Sequence, residues 1–296
     1  MSADTSPPVQ YEVVHTTRYD YSESVAVSHH MVRLNPRMLP YQQRLQHDLL
    51  IEPPPAVVTT HTDYFGNAVT YFAMQGAHKR LTVRARSQVS LQPASLPAPS
   101  DTPPWEAVAE HATLPIEALE FLFDAALTPV SAELRAYARA SFPPGRPLLD
   151  AVLELTRRIH DDFTFDREAT NVATPLAAVF KSRRGVCQDF ARLEISCLRS
   201  LGLPARYISG YLETVAPADS PRLVGADASH AWLTVYCPQV GWIPVDPTNN
   251  LLPSLTHVTV AWGRDYTDVS PIHGVILGGG NHTLRVNVDV LRLAEG

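Results

Sequence analysis

From Tyr11 to about Leu91, apolar and polar residues alternate in stretches such as Tyr11-Glu12-Val13-Val14-His15 and Arg80-Leu81-Thr82-Val83-Arg84-Ala85-Arg86. A period of two is the signature of strands that bury one face. Val57-Val58-Thr59-Thr60 and Ala68-Val69-Thr70-Tyr71-Phe72 flank the turn-forming run Asp63-Tyr64-Phe65-Gly66-Asn67, which predicts a hairpin. Together these runs predict an N-terminal β-sandwich-like domain over residues 1–95. Between Gln92 and Trp105 the sequence QPASLPAPSDTPPW is rich in Pro and Ser. Such composition disfavours cooperative structure, so a linker is expected over 96–110.

The period then changes. Val130, Leu134, Tyr137 and Ala138 recur at helical spacing, as do the apolar residues from Leu148 to Ile159. A further helix is predicted from the Gly185-Val186-Cys187 start to Leu201, with Gly202 where a C-terminal stop belongs. Ala205–Leu212, His230–Tyr236 and Gly241–Asp246 read as three strands. A helix followed by an antiparallel sheet is an α+β pattern, assigned to residues 111–262. Residues 263–296 end in the alternating run His282–Leu293, a strand expected to pair with a sheet. Gly278-Gly279-Gly280-Asn281 lacks the strand-then-helix setting of a phosphate loop and reads as a tight turn.

Composition narrows the function. The chain has 296 residues, 45% of them hydrophobic, enough for a substantial core. Its net charge of −6 comes without a block of Lys and Arg, which argues against nucleic acid as a partner. The N-terminus resembles no secretory signal, and no run approaches the roughly 18 apolar residues of a membrane span. A soluble, cytoplasmic protein with no membrane partner is expected. The His29-His30 pair, His47, His61 and His160 lack metal-ligand spacing, so neither metal nor cofactor is expected. The carboxylates of 160–162 and 166–168 read as a solvated loop face, with recognition of a basic substrate group as the alternative.

Three cysteines are too few for a disulfide framework or a zinc knuckle. Cys197, among Leu193, Ile195, Leu198 and Leu201, reads as a small buried hydrophobe, and Cys237 as the end of an apolar strand. Cys187 differs because a helix N-terminus favours the thiolate, the reactive form. A thiolate needs an imidazole partner, and the imidazole needs an acceptor to fix its tautomer. His230 opens one strand and Asp246 ends the next, so a hairpin through Pro238–Gly241 brings them close.

These residues fall in three blocks: Arg184-Gly185-Val186-Cys187-Gln188-Asp189-Phe190, Ala228-Ser229-His230-Ala231-Trp232, and Gly241-Trp242-Ile243-Pro244-Val245-Asp246-Pro247-Thr248-Asn249. In content and order they resemble the transglutaminase-like superfamily, in particular its bacterial cysteine-protease-like members with an N-terminal β domain. The resemblance implies a papain-like core and acyl-enzyme chemistry on a peptide or amide substrate, with Cys187, His230 and Asp246 as a catalytic triad. It also implies proximity to peptide-bond-forming enzymes of the ATP-grasp-like kind as partners. Gly263-Arg264-Asp265-Tyr266 resembles a further block of the subfamily, and Trp232, Arg264 and Tyr266 are substrate-contact candidates. For the oxyanion hole, the Cys187 N–H is the natural first donor. Gln188 is the candidate second, with Thr164–Asp166 and Thr170–Thr174 left open. Water as acyl acceptor gives a protease or amidase, an amine gives a transglutaminase, and a third reading is a non-catalytic binding module. Oligomeric state is not legible.

Overall fold

The computed structural model of the protein describes residues 7–110, 114–213 and 229–294. Five strands come first: β1 (Val9–Val32), β2 (Gln42–Glu52), β3 (Val57–Thr62), β4 (Ala68–Met74) and β5 (His78–Leu91). The expected hairpin is β3–β4; its turn is closed by the Asp63 N–H to Asn67 carbonyl bond of 2.9 Å, with Gly66 at φ +76°. β1 is 24 residues long and organises the region. Its first half pairs with β5, its second half with β4, and β2 lies beyond β5.

The proline-rich segment is not extended throughout. It carries a short 3-10 turn at Pro99–Asp101 and the helix α1 (Trp105–Ala109). Trp105 and Val108, one helical step apart, are buried, and the Trp105 indole N–H donates to the Pro143 carbonyl at 3.0 Å. Two apolar anchors at helical spacing outweigh the composition around them.

The following elements are α2 (Ile116–Leu119), α3 (Ala132–Arg139), α4 (Leu148–Asp162), β6 (Thr164–Phe165), α5 (Leu176–Ser182), β7 (Arg184–Gly185) and α6 (Cys187–Ser200). Then come β8 (Ala205–Leu212), β9 (Ser229–Cys237), β10 (Gly241–Val245) and β11 (His257–Gly263). The last four form an antiparallel sheet in the order β10-β9-β8-β11. α6 packs across β9 and β8, and all its residues from Asp189 to Ser200 are buried. A helix this enclosed must satisfy its charges internally. Arg199 donates to the carbonyls of Ala205, Phe123 and Arg264 and to the Thr128 hydroxyl, while Arg192 donates to the carbonyls of Leu127 and Thr174 and pairs with Asp189. Gly202, at φ +82°, ends the helix as its sequence position suggests, with the Leu203 N–H bonded to the Leu198 carbonyl at 3.0 Å.

The chain closes with α7 (Tyr266–Val269), β12 (Ile272–Gly278) and β13 (His282–Arg292). Both strands return to β1: β12 pairs with its second half and β13 with its first. One seven-stranded sheet therefore holds both the first and the last strand described. Val9, Tyr11 and Val13 of β1 and Val288 and Val290 of β13 share one hydrophobic core with α4, α6 and the β8–β11 sheet. A second, smaller core lies around Val25, Phe72, Leu81 and Val83 within the N-terminal sheet. Among the described residues no helix is long and apolar enough to cross a membrane.

Candidate active site

Cys187 is the first residue of α6 and is half-buried. The helix start is built by Asp189, whose carboxylate accepts from the Val186 N–H at 3.0 Å and the Thr170 hydroxyl at 2.6 Å. Gly185 makes room for it, since a Cβ there would lie 2.8 Å from the Asp189 carboxylate. The backbone N–H groups of Cys187 and Gln188 have no acceptor within the helix, as in any first turn. They give the sulfur a partly positive environment.

His230 lies on β9, paired with Gly210 of β8. Its Nε2 is 2.8 Å from Oδ2 of Asp246, which leaves Nδ1 as the nitrogen for the hydrogen bond with Cys187. The β9–β10 register pairs Val245 with Leu233, so Asp246 falls opposite Trp232, one same-face step from His230. The contact is therefore a diagonal cross-strand pair.

Asp246 is fully buried, and its environment is richer than the sequence suggests. Oδ2 also accepts from Asn249 Nδ2 at 2.6 Å and lies 3.1 Å from His257 Nε2 on β11. Oδ1 accepts from the Thr248 N–H at 2.9 Å and the Asn249 N–H at 3.3 Å. Burial alone would favour the neutral acid, but the hydrogen bonds from His230, His257 and Asn249 hold the carboxyl well below its ordinary range. Burial opposes the charged imidazole of His230 as well, yet the bonds and charges of Asp246 and Cys187 outweigh it and raise its pKa to about 10. For His257 burial prevails and its pKa is lowered. The tautomer that satisfies both contacts of His257 donates from Nε2 to Asp246 and accepts at Nδ1 from the Thr256 hydroxyl, 3.0 Å away.

His230 Nε2, Asp246 Oδ2 and His257 Nε2 lie within 4.8 Å of one another, so a divalent cation has a candidate set of ligands here. Their separations of 2.8 and 3.1 Å are hydrogen-bond distances, and a metal would have to displace the protons held between these groups.

Trp232 is not in the slot beside His230. Its buried ring stacks on His230, with centroids 5.9 Å apart, and meets His257 edge-on at 5.1 Å. Gly210 admits this ring, because a Cβ there would sit 2.5 Å from the indole and 2.1 Å from the Val258 carbonyl. Trp232 thus holds both imidazoles in place. The slot itself is narrow, about 30 Å³, and is lined by Gln188, Tyr207, Ser209, Ser229, His230, Ala231, Tyr266 and Pro271. Gln188 and Tyr266 are therefore at the site. Arg264 is not: its guanidinium is paired with Asp268 at 3.0 Å, and it lines a separate cavity with Arg33, Asp63, Tyr64 and Glu120. Of the open oxyanion candidates, Thr170 is committed to Asp189 and Thr174 accepts from the Asn171 N–H. The acidic stretch before α6 is also internally paired, Asp161 with Arg157, Asp162 with the Tyr137 hydroxyl and Asp166 with Arg184.

His257, Asn249, Tyr207, Ser209 and Ser229 were not singled out by sequence reasoning for this site. Tyr207 is fully buried, and burial, with Cys187 as a lesser contribution, raises its pKa well above the ordinary value, so its phenol stays protonated and able to donate. Ala228, in the second block, lies outside the described residues.

Residues 11–90 match the model of the bacterial transglutaminase-like N-terminal region, and residues 135–247 that of the transglutaminase-like superfamily. An uncharacterized protein of Mycobacterium tuberculosis (strain ATCC 25618 / H37Rv) is 40% identical over 306 residues, spanning 98% of this chain and 97% of the relative. The protein-glutamine gamma-glutamyltransferase of Pseudomonas aeruginosa is 37% identical over 76 residues, which is 25% of this chain and 11% of that protein. Among solved structures, a "Putative Cysteine Protease" from Cytophaga hutchinsonii superimposes with a TM-score of 0.77 over 98% of this chain and 93% of its own. At 20% identity that likeness is one of fold.

Proposed function

We propose, from the premise that the chain belongs to the transglutaminase-like superfamily, that it is a thiol acyl-transfer enzyme that hydrolyses peptide, isopeptide or amide bonds. The observation that carries this reading is His230, bonded through Nε2 to the buried Asp246 and sharing its other nitrogen with Cys187 at a helix N-terminus. A cationic imidazole held between a buried carboxylate and a thiol is the arrangement from which a thiolate–imidazolium pair works.

In the first step the Cys187 sulfur attacks the carbonyl carbon and a tetrahedral oxyanion forms. The Cys187 N–H is its first donor, and Gln188 and the Tyr207 phenol supply candidate second donors from the slot wall. His230 gives its proton to the leaving nitrogen as the C–N bond breaks, which leaves an acyl-thioester and a neutral imidazole. Water then attacks the thioester with His230 accepting its proton. The C–S bond breaks, the acid leaves, and the ion pair is restored. Asp246 keeps the imidazole oriented throughout.

An amine could replace water in the second step, and the partial match to a protein-glutamine gamma-glutamyltransferase supports that alternative. The two are separated by mass spectrometry of a peptide substrate incubated with and without a primary amine. Hydrolysis predicts cleavage products that dominate in both samples, whereas amine adducts forming faster than cleavage would overturn it. Cys187→Ala should lower either product by at least about 10⁴-fold without changing the far-UV circular dichroism. If alkylation at neutral pH shows Cys187 reacting no faster than the buried Cys197 and Cys237, the reading as a non-catalytic module prevails.

A further inference from the structure

The inward face of β13 is continuous but not continuously covered. Val290 and Val288 are buried in the main core, whereas Val286 and Leu284, the next two positions on the same face, are 47% and 50% exposed. They stand beside Thr17 and Tyr19 of β1, with which they pair. Here the sheet, through β1, β13 and Ile272 of β12, lines a cavity of about 120 Å³, and Ser229, Tyr266 and Pro271 complete it. Ser229, Tyr266 and Pro271 also line the slot beside His230, so the two spaces adjoin and share a wall.

Size and charge select what fits. At about 120 Å³ the space is smaller than the roughly 150 Å³ apolar cavity that holds one benzene ring, so it suits one side chain and no folded partner. Among the described residues, no Asp, Glu, Lys or Arg lines it. The floor residue His15 has both ring nitrogens engaged, with the Tyr211 hydroxyl at 3.1 Å and the Thr17 hydroxyl at 3.0 Å. Burial lowers the His15 pKa to about 4, so it is neutral near pH 7. A charged side chain entering here would lose water and find no counter-ion.

We propose that this cavity is the specificity subsite of the enzyme, taking an apolar or aromatic side chain of the acyl donor next to the carbonyl that Cys187 attacks. The proposal rests on Cys187 being the nucleophile, and it gives the N-terminal sheet and the C-terminal strand a direct part in substrate choice. A hydrophobic pocket of this kind discriminates by roughly tenfold or more.

The test uses the full chain and three thiol-directed probes: iodoacetamide as a small reference, and two peptidyl acyloxymethyl ketones that differ only in carrying phenylalanine or glutamate beside the ketone. Rates at Cys187 are divided by the iodoacetamide rate of the same variant. The phenylalanine probe should react at least about tenfold faster than the glutamate probe. Val286→Lys should remove that preference, and Leu291→Lys, on the same strand outside the cavity, should keep it. Equal rates for the two peptide probes, or an unchanged preference in Val286→Lys, would overturn the subsite while leaving the nucleophile in place. If iodoacetamide itself does not favour Cys187 over Cys197 and Cys237, the nucleophile reading fails and the subsite falls with it.

Discussion

Two hollows on this molecule differ in the opposite sense from their size. The one beside Arg264 encloses about 540 Å³, and the slot beside His230 about 30 Å³. In the large one the charges answer each other: Arg33 with Asp63 at 3.1 Å, Arg264 with Asp268 at 3.0 Å, and the Tyr64 hydroxyl with Glu120. At the slot, His230 is one of three donors, with His257 and Asn249, to the buried Asp246, while its other nitrogen is spent on a half-buried thiol. Volume records where the surface bends. Reactivity follows from charge that is arranged but not exhausted, and that arrangement sits in the smaller hollow.

The strongest way to break this contrast is Asp246→Asn. Removing the charge while keeping the shape weakens the bond that orients His230, a charge-assisted bond of about 1.5–3 kcal/mol, so kcat/KM should fall by about 10- to 100-fold. The alkaline limb of activity should also move down in pH, because His230 loses part of what raises its pKa to about 10. Stability carries two opposite dependences. The depressed pKa of Asp246 contributes stability that is present above its unfolded value of about 4 and is lost as pH falls through the lower folded value. The raised pKa of His230 contributes stability that is present below about 6.5 and is lost as pH rises through about 10. Urea denaturation should therefore show the wild type's advantage over Asp246→Asn greatest between about pH 4 and 6.5 and shrinking on both sides. An unshifted alkaline limb would show that Asp246 does not set the charge of His230.

A smaller effect belongs to His257, which touches the same carboxylate oxygen as His230. His257→Leu should lower kcat by about tenfold through loss of one donor to a charged acceptor, and His257→Gln, which can still donate, should recover most of it. With one donor gone, Asp246 is a stronger base. The alkaline limb should therefore hold its position or rise, opposite to Asp246→Asn. Equal loss in both His257 variants would make the residue a packing element only.

How much of this was legible in the sequence follows from distance along the chain. Cys187 at a helix start, Gly202 at its end, and His230 and Asp246 on adjoining strands are short-range facts, and the hairpin between the last two differs from expectation only by a diagonal step. His257 is different. The run His257–Gly263 was assigned no strand, although Val258, Val260 and Trp262 alternate, and nothing local tells that its strand joins β8 at the far side of the sheet. The same holds at the C-terminus: alternation over 282–293 announces a strand, but only its pairing with β1 carries Leu284 and Val286 to the cavity that adjoins the slot. Trp232 was legible as an aromatic beside the histidine, and not as the ring stacked on it. Partner strands and side-chain directions are set by long-range packing, which a single sequence does not encode locally.

Arg264 gives the smallest expected effect and the most direct control, because it shares a sequence block with Tyr266 but faces the large hollow. Its pair with Asp268 joins residues on a short turn, and its side chain is 47% exposed, so solvent screens the attraction. Arg264→Ala should change stability by no more than about 1 kcal/mol, since the backbone carbonyl that serves Arg199 is untouched. Cleavage of an uncharged peptide should stay within about twofold of wild type, the range expected where no contact to the reacting groups is lost. A fall of tenfold or more in kcat/KM with thermal stability unchanged would mean that substrate reaches the large hollow while Cys187 works on it. The two spaces would then be parts of one binding surface, and size would have been a guide to function after all.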